Sequence, residues 1–337
     1  MNQNNTLFLR FIAILLVINS HLDEIYPIPL FATGGAIGNA LFFMLSSYGL
    51  LVSQQANPQT FTTYMSKRLI RIYPVIWSSL LFLVFPLGLY YYAFFPSYYR
   101  EVVELFGLSS PLSFIGNLFY PPEDYWFLRA LMFYYLVGFF FLHHYHPTKI
   151  FKALGVLTLL YAFSYSQFTD FSTLVIEQTM AFKLIFYAMV FLVGIYFASI
   201  KETIVYSGGR DFALFFGFIV LIYGDKYLML KGIYPQVQFL QQLLLFPVLY
   251  YGLKISQSPF ILTTLMGQSF LARPITLIGA MTLELYLVHG LIRPLLVYYL
   301  PHFPENLIVF ALLTVLLSYG LYRFNTHLIH RIQGKMA

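Results

Sequence analysis

An arginine and a histidine eleven residues apart, Arg10 and His21, bracket the apolar run RFIAILLVINSH. On one continuous helix that spacing turns through about 1100°, roughly 20° past three full turns, so both side chains share a face with His21 about 16 Å further along. A guanidinium holds anions, and imidazole is the side chain best suited to proton transfer near neutral pH. The pair predicts a groove with an anion at its mouth and a base at its floor. The competing structural reading is an arginine that reaches the headgroups and a histidine satisfied by Asn19 or a neighbouring helix.

A second group sits in KRLIRIYP, where Arg68 and Arg71 are three apart and share a helix face beside Lys67, with Pro74 compatible with a first helical turn. These cations suit the phosphates of a polyanionic donor such as coenzyme A, or equally a headgroup anchor. The third group is Glu284, Tyr286 and His289 in TLELYLVHG, followed by Arg293. Counted from Ile275, His289 lies at a depth similar to His21, and Glu284 about 7 Å nearer the cytoplasm. Glu284 and His289 diverge by roughly 140°, whereas His289 and Arg293, four apart, share a face. Arg129 and Lys183 complete the charges inside apolar runs, and each such group costs several kcal/mol unless paired or hydrated.

Metal and thiol chemistry find little to work with. The chain has no cysteine, and His143, His144 and His146 cluster at a helix end without a carboxylate, so no metal site is expected. There is no nucleophile elbow and no phosphate-binding glycine loop.

The elements that must position these groups follow from composition. Of 337 residues 59% are hydrophobic and 9% charged, with a mean hydropathy of +0.73. A soluble domain carries about 25% charged residues, so an ordinary globular protein is excluded. The net charge of +6 comes from basic residues scattered singly between apolar runs, which points to membrane topology and away from nucleic acid. Apolar runs fall at 8–26, 35–52, 72–94, 126–142, 150–165, 180–200, 212–230, 239–255, 275–300 and 307–324. The expected fold class is an all-α polytopic membrane protein, a bundle of about ten transmembrane helices, since open strands cannot satisfy their backbone in lipid. The first span lacks a cleavage site and is expected to be retained. Residues 1–337 form a single membrane-embedded domain with no soluble domain, the longest gap being a Tyr- and Pro-rich external loop at 95–125. A belt of aromatics from Tyr90 to Tyr99 marks the external interface.

Several of these runs, in order, resemble the blocks of the acyltransferase-3 family of membrane-integral acyltransferases: RFIAILLVINSH, GNALFFMLSSYGL, YMSKRLIRIYP, DYWFLRALMFYYL and ELYLVHGLI. The resemblance runs from residue 10 to about 325. It departs where Arg129 to Met132 stand in place of an acidic residue and where Ser46 and Ser47 stand in place of Ser-Gly, and it looks most like the polysaccharide O-acetyltransferase branch. The resemblance implies functional roles for Arg10, His21, Arg68 and Arg71, and transfer of an acyl group, usually acetyl from acetyl-CoA, to a hydroxyl of a cell-envelope glycan or lipid-linked saccharide. On this basis the expected catalytic residues are His21, Arg10 and Glu284. Lys67, Arg68, Arg71 and Tyr73 would contact the donor, and Trp126, Arg129 and His289 the acceptor. The expected partners are acyl-CoA, the saccharide acceptor and membrane lipid, in the cytoplasmic membrane. The rival classes are a lipid or glycan flippase, with buried charges lining a path, and a non-catalytic partner of an envelope-synthesis complex.

Orientation is the most direct expectation to check. Assigning loops alternately gives twelve basic residues on the side of the termini, among them Lys67, Lys149, Lys201 and Lys254, against Arg100, Lys226 and Lys231 on the other, which predicts cytoplasmic termini. A cysteine at Gln59 or Ser207 should react with impermeant maleimide only after the membrane is opened, and one at Ser97 in intact cells. Labelling of Ser207 and Ser97 from one side would overturn the ten-span topology.

Overall fold

The computed structural model describes residues 3–94, 111–122, 125–143, 145–168, 170–171, 175–267 and 269–334. Among them all regular elements are helical. The principal ones are α1 (Gln3–Asn19), α2 (Gly35–Ala56), α3 (Phe61–Ser79), α4 (Phe85–Phe94), α5 (Pro111–Phe119), α6 (Trp126–His143), α7 (Pro147–Ser166), α8 (Met180–Ser199), α9 (Gly209–Leu230), α10 (Phe239–Ile255), α11 (Ala272–Ala280), α12 (Thr282–Tyr299) and α13 (Glu305–Gly334). Six stretches are long and apolar enough to cross a membrane, and a seventh if α11 and α12 count together as one broken span. Each of the ten expected runs coincides with helix, but α1, α7 and α10 fall outside that set.

The chain divides into two compact units, Met1–Ala13, Ala36–Pro58 and Leu136–Ala280 in the first, and Ile14–Gly35, Gln59–Tyr135 and Met281–Ala337 in the second. In the first unit α7 packs on α8 and α9 pairs with α10. Gly194 of α8 lies where a Cβ would collide with Met44 and Ser47 of α2, the close approach that small residues permit between apolar helices. Lys254, expected among the loop cations, is instead buried at the end of α10. Its Nζ lies 2.7 Å from Asp211 Oδ1 and 3.1 Å from Ser207 Oγ, and the Ser207 amide donates to Asp211 Oδ2 at 2.6 Å. Each charge sits at the helix end whose dipole favours it, Asp211 in the first turn of α9 and Lys254 in the last turn of α10.

In the second unit α13 packs on α3 and α12. Its inward stripe is Asn306, Phe310, Thr314, Ser318, Leu321 and Asn325, at the three- and four-residue spacing of one helix face. Thr60 caps α3 by accepting from the Thr63 amide. Past Ser79 the helix widens into a π segment, Leu80–Val84, before continuing as α4. Leu22 and Ile25 join Val288, Ile292, Leu296, Phe310 and Leu321 in one buried cluster.

Four sequence expectations change here. The run 8–26 is not one helix, because α1 stops at Asn19 and His21 lies beyond it in a turn. The run 275–300 is broken at Met281. The segment expected as an external loop contains α5, while Phe95, Tyr98, Tyr99 and Arg100, with the label site Ser97, lie outside the described residues. Gln59 is buried, so the adjacent exposed Asn57 is the better label site for that loop.

Lys254→Met should destabilise the protein by about 3–5 kcal/mol, because it leaves the Asp211 carboxylate buried without its cation, and Lys254→Met with Asp211→Asn should recover much of the loss. Thermal unfolding in detergent measures both. A double variant no more stable than the single one would remove the pair from the supports of the fold.

Candidate active site

The turn that carries His21 is built by Asn19. Its Nδ2 donates to the carbonyls of Phe31 at 2.8 Å and Thr33 at 2.9 Å, and its Oδ1 accepts from the Tyr26 hydroxyl at 2.7 Å. One amide thus ties the end of α1 to the returning chain, and the hydrogen-bonding capacity of Asn competes with helix continuation. Gly34 takes φ +101°, and at Gly35 a Cβ would collide with Ser20, so the return to α2 needs both glycines. Within the turn the His21 amide donates to the Ile18 carbonyl at 3.0 Å. Leu22 and Ile25 point into the core, leaving His21, Asp23 and Glu24 on the surface.

Helix α12 holds this turn from beneath. The buried His289 ring lies 5.1 Å from that of His21, centre to centre, at 52°. One turn further along α12, Arg293 Nη1 donates to the His21 carbonyl at 3.3 Å, and its guanidinium lies 3.6 Å from Asp23 and 3.8 Å from Glu24. The expected shared face of His289 and Arg293 is therefore used, and both residues meet His21. Tyr286 extends the group of rings, 5.9 Å from His289 and 5.5 Å from Phe127.

Glu284 faces elsewhere, as the 140° divergence requires. It is buried in the first turn of α12, and its Oε1 accepts from Asn325 Nδ2 at 3.4 Å. A carboxylate there complements the helix N-terminus. On α3, Lys67 and Arg71 are exposed, and the half-buried Arg68 guanidinium lies 5.1 Å from the Tyr64 ring centre. Arg10 belongs to the first unit. It is thus the one expected catalytic residue grouped apart from the other two.

Two further expected residues are engaged at the end of α5 and just beyond it. The Tyr73 hydroxyl donates to the Phe119 carbonyl at 2.6 Å, and Arg129 Nε donates to the Pro121 carbonyl at 2.5 Å with its guanidinium 4.3 Å from the Tyr120 ring centre. Trp77, which sequence reasoning did not single out, adds a bond from Nε1 to the Leu118 carbonyl at 2.7 Å. Together they satisfy the carbonyls left open where α5 ends. Trp126 packs edge-on against Phe127. His146 caps α7, its Nδ1 accepting from the Thr148 amide, and His143 stacks on Phe139, while His144 lies outside the described residues. No group of three metal-ligating side chains occurs among the described residues.

The arrangement presents an imidazole at the surface, braced by a second imidazole and a guanidinium, with exposed cations on α3 of the same unit. That is machinery for moving a proton and for holding an anion. Comparison with known proteins bears on what the machinery serves. A family model described as an acyltransferase domain matches residues 8–323. No curated protein and no solved structure matches. The matched stretch contains the Asn19 turn, the basic residues of α3 and the whole of α12, and the chain belongs to the acyltransferase-3 family of membrane acyltransferases.

Proposed function

We propose that this membrane acyltransferase moves an acyl group, acetyl in our reading, from cytoplasmic acyl-CoA to a hydroxyl of a cell-envelope glycan or lipid-linked saccharide. In this reading the chain crosses the cytoplasmic membrane ten times with both termini inside. The observation that carries it is the surface position of His21, braced by His289 and Arg293, in a chain of acyltransferase family membership.

His21 takes the proton of the acceptor hydroxyl as the oxygen attacks the thioester carbonyl. The carbon–sulfur bond then breaks, and the coenzyme A thiolate leaves with a proton returned by the imidazolium. An acyl-histidine route uses the same residue as nucleophile; in a chain without cysteine a covalent carrier must be another residue, such as His21. Lys67, Arg68 and Arg71 hold the donor phosphates, supported by the exposure of Lys67 and Arg71 on α3 beside the half-buried Arg68. Arg10 contributes to donor affinity, and Glu284 supports the arginines of α3 through its charge. Trp126 and Arg129 border the acceptor, Arg129 while also holding the Pro121 carbonyl.

Replacing Arg68 and Arg71 together with Ala should weaken acetyl-CoA binding by a few kcal/mol, each charge-assisted phosphate contact contributing roughly 1.5–3 kcal/mol. Added salt should reproduce part of the effect because the contacts are exposed. Calorimetry showing unchanged affinity would return both residues to a headgroup-anchoring role.

His21→Ala should stay folded and bind donor while transfer falls at least ~10²-fold. Arg10→Ala should lose donor affinity as well as turnover. The measurements are thermal stability with and without coenzyme A, and transfer of labelled acetyl to envelope glycan. A stable His21→Ala protein that acetylates glycan at the parental rate would refute the assignment. Label retained on the protein without acceptor would identify the acyl-histidine route.

A further inference from the structure

His289 has two ring nitrogens, and its surroundings distinguish them. Nδ1 lies 3.2 Å from the Leu285 carbonyl oxygen, one turn back on α12. A carbonyl only accepts, so Nδ1 carries the hydrogen, and Nε2 of the neutral ring is then an acceptor. Because Nδ1 is turned back to its own helix, Nε2 projects away from it. The His21 ring stands 5.1 Å away, and the centre-to-nitrogen radii of two imidazoles plus ~2.9 Å for a nitrogen–nitrogen hydrogen bond come to roughly the same distance. Both rings have further supports: His289 is buried within α12, and Arg293, one turn on, binds the carbonyl of His21 itself.

We propose that His289 is a positioning residue for His21: its Nε2 accepts the N–H of one His21 nitrogen, so that the opposite nitrogen of His21 is the basic one presented to the acceptor hydroxyl. This rests on the reading of His21 given above. When the hydroxyl proton moves to His21, the imidazolium keeps its other N–H on His289, and the proton later leaves on the coenzyme A thiol. His289 exchanges no proton in the cycle. Its part is to select the tautomer, hold the ring plane and stabilise the charged form of His21, the orienter's place in a nucleophile–base–orienter chain. In place of the acceptor contact expected from sequence, His289 acts through His21.

Three substitutions in the purified full-length protein separate this from packing or from simple satisfaction of the Leu285 carbonyl. His289→Gln sets an amide oxygen near the place of Nε2, His289→Asn sets an amide nitrogen near Nδ1 without reaching Nε2, and His289→Phe keeps a ring with neither nitrogen. Turnover should stay within about tenfold of the parent for Gln and fall on the order of 10²-fold for Asn and Phe, with KM for acetyl-CoA unchanged in all three. Asn or Phe turning over within about threefold of the parent, or Gln as slow as Phe, would overturn the proposal. Nitrogen-15 NMR of histidine-labelled parent protein, assigned with the Gln variant, gives a readout that needs neither turnover nor a foldable Phe variant. His289 should be protonated at Nδ1 with Nε2 bare, and the opposite tautomer would overturn the pairing. His21→Ala serves as the control: full activity there sinks the His21 reading, whereas an inactive His21→Ala beside a fully active His289→Phe sinks the pairing alone.

Discussion

In a chain this apolar, a backbone carbonyl or charged side chain away from water has no partner except another part of the protein. At three interruptions of the helical ladder among the described residues, side chains satisfy the backbone groups left open. Asn19 closes the end of α1, Tyr73, Trp77 and Arg129 close the end of α5, and His146 closes the start of α7. Asp211 and Lys254 apply the same constraint to charge, each buried only because the other is there. The polar residues of this protein are few, and the fold uses several of them where the helical ladder is interrupted.

The His21 turn shows how such an interruption exposes a side chain. Had α1 continued, His21 would be one more residue on a helix face. By stopping the helix, Asn19 turns His21 outward while Leu22 and Ile25 anchor the turn in the core. The other support comes from α12, which sends three polar groups in different directions: Glu284 toward Asn325, His289 to the ring of His21, and Arg293 to its backbone and to Asp23 and Glu24. One helix thereby links the buried Glu284 carboxyl to the turn that carries the imidazole.

The geometric expectations that the structure matches share a trait: they depend on spacing within one helix. The three-residue interval of Arg68 and Arg71, the four-residue interval of His289 and Arg293 and the divergence of Glu284 follow from 100° per residue alone. Arg10 and His21 needed the helix to run through residue 21, and the geometry drawn from that spacing went with it. The same distinction explains Tyr73 and Arg129, whose residue types fit ligand binding and whose hydrogen bonds go to backbone carbonyls 46 and 8 residues away in sequence.

Composition by itself determined that this chain is helical and apolar, because hydrocarbon leaves a single open-ended backbone solution, and hydropathy located ten runs that carry helix. Motif order indicated the family. Only the tertiary structure decided where a helix stops, that the stretch after α4 contains another helix, that Lys254 is a buried partner of Asp211 and that two histidines 268 residues apart face each other. Those outcomes depend on hydrogen-bond partners and packing surfaces brought from distant parts of the chain, and no local period in the sequence encodes which distant atom a side chain will meet.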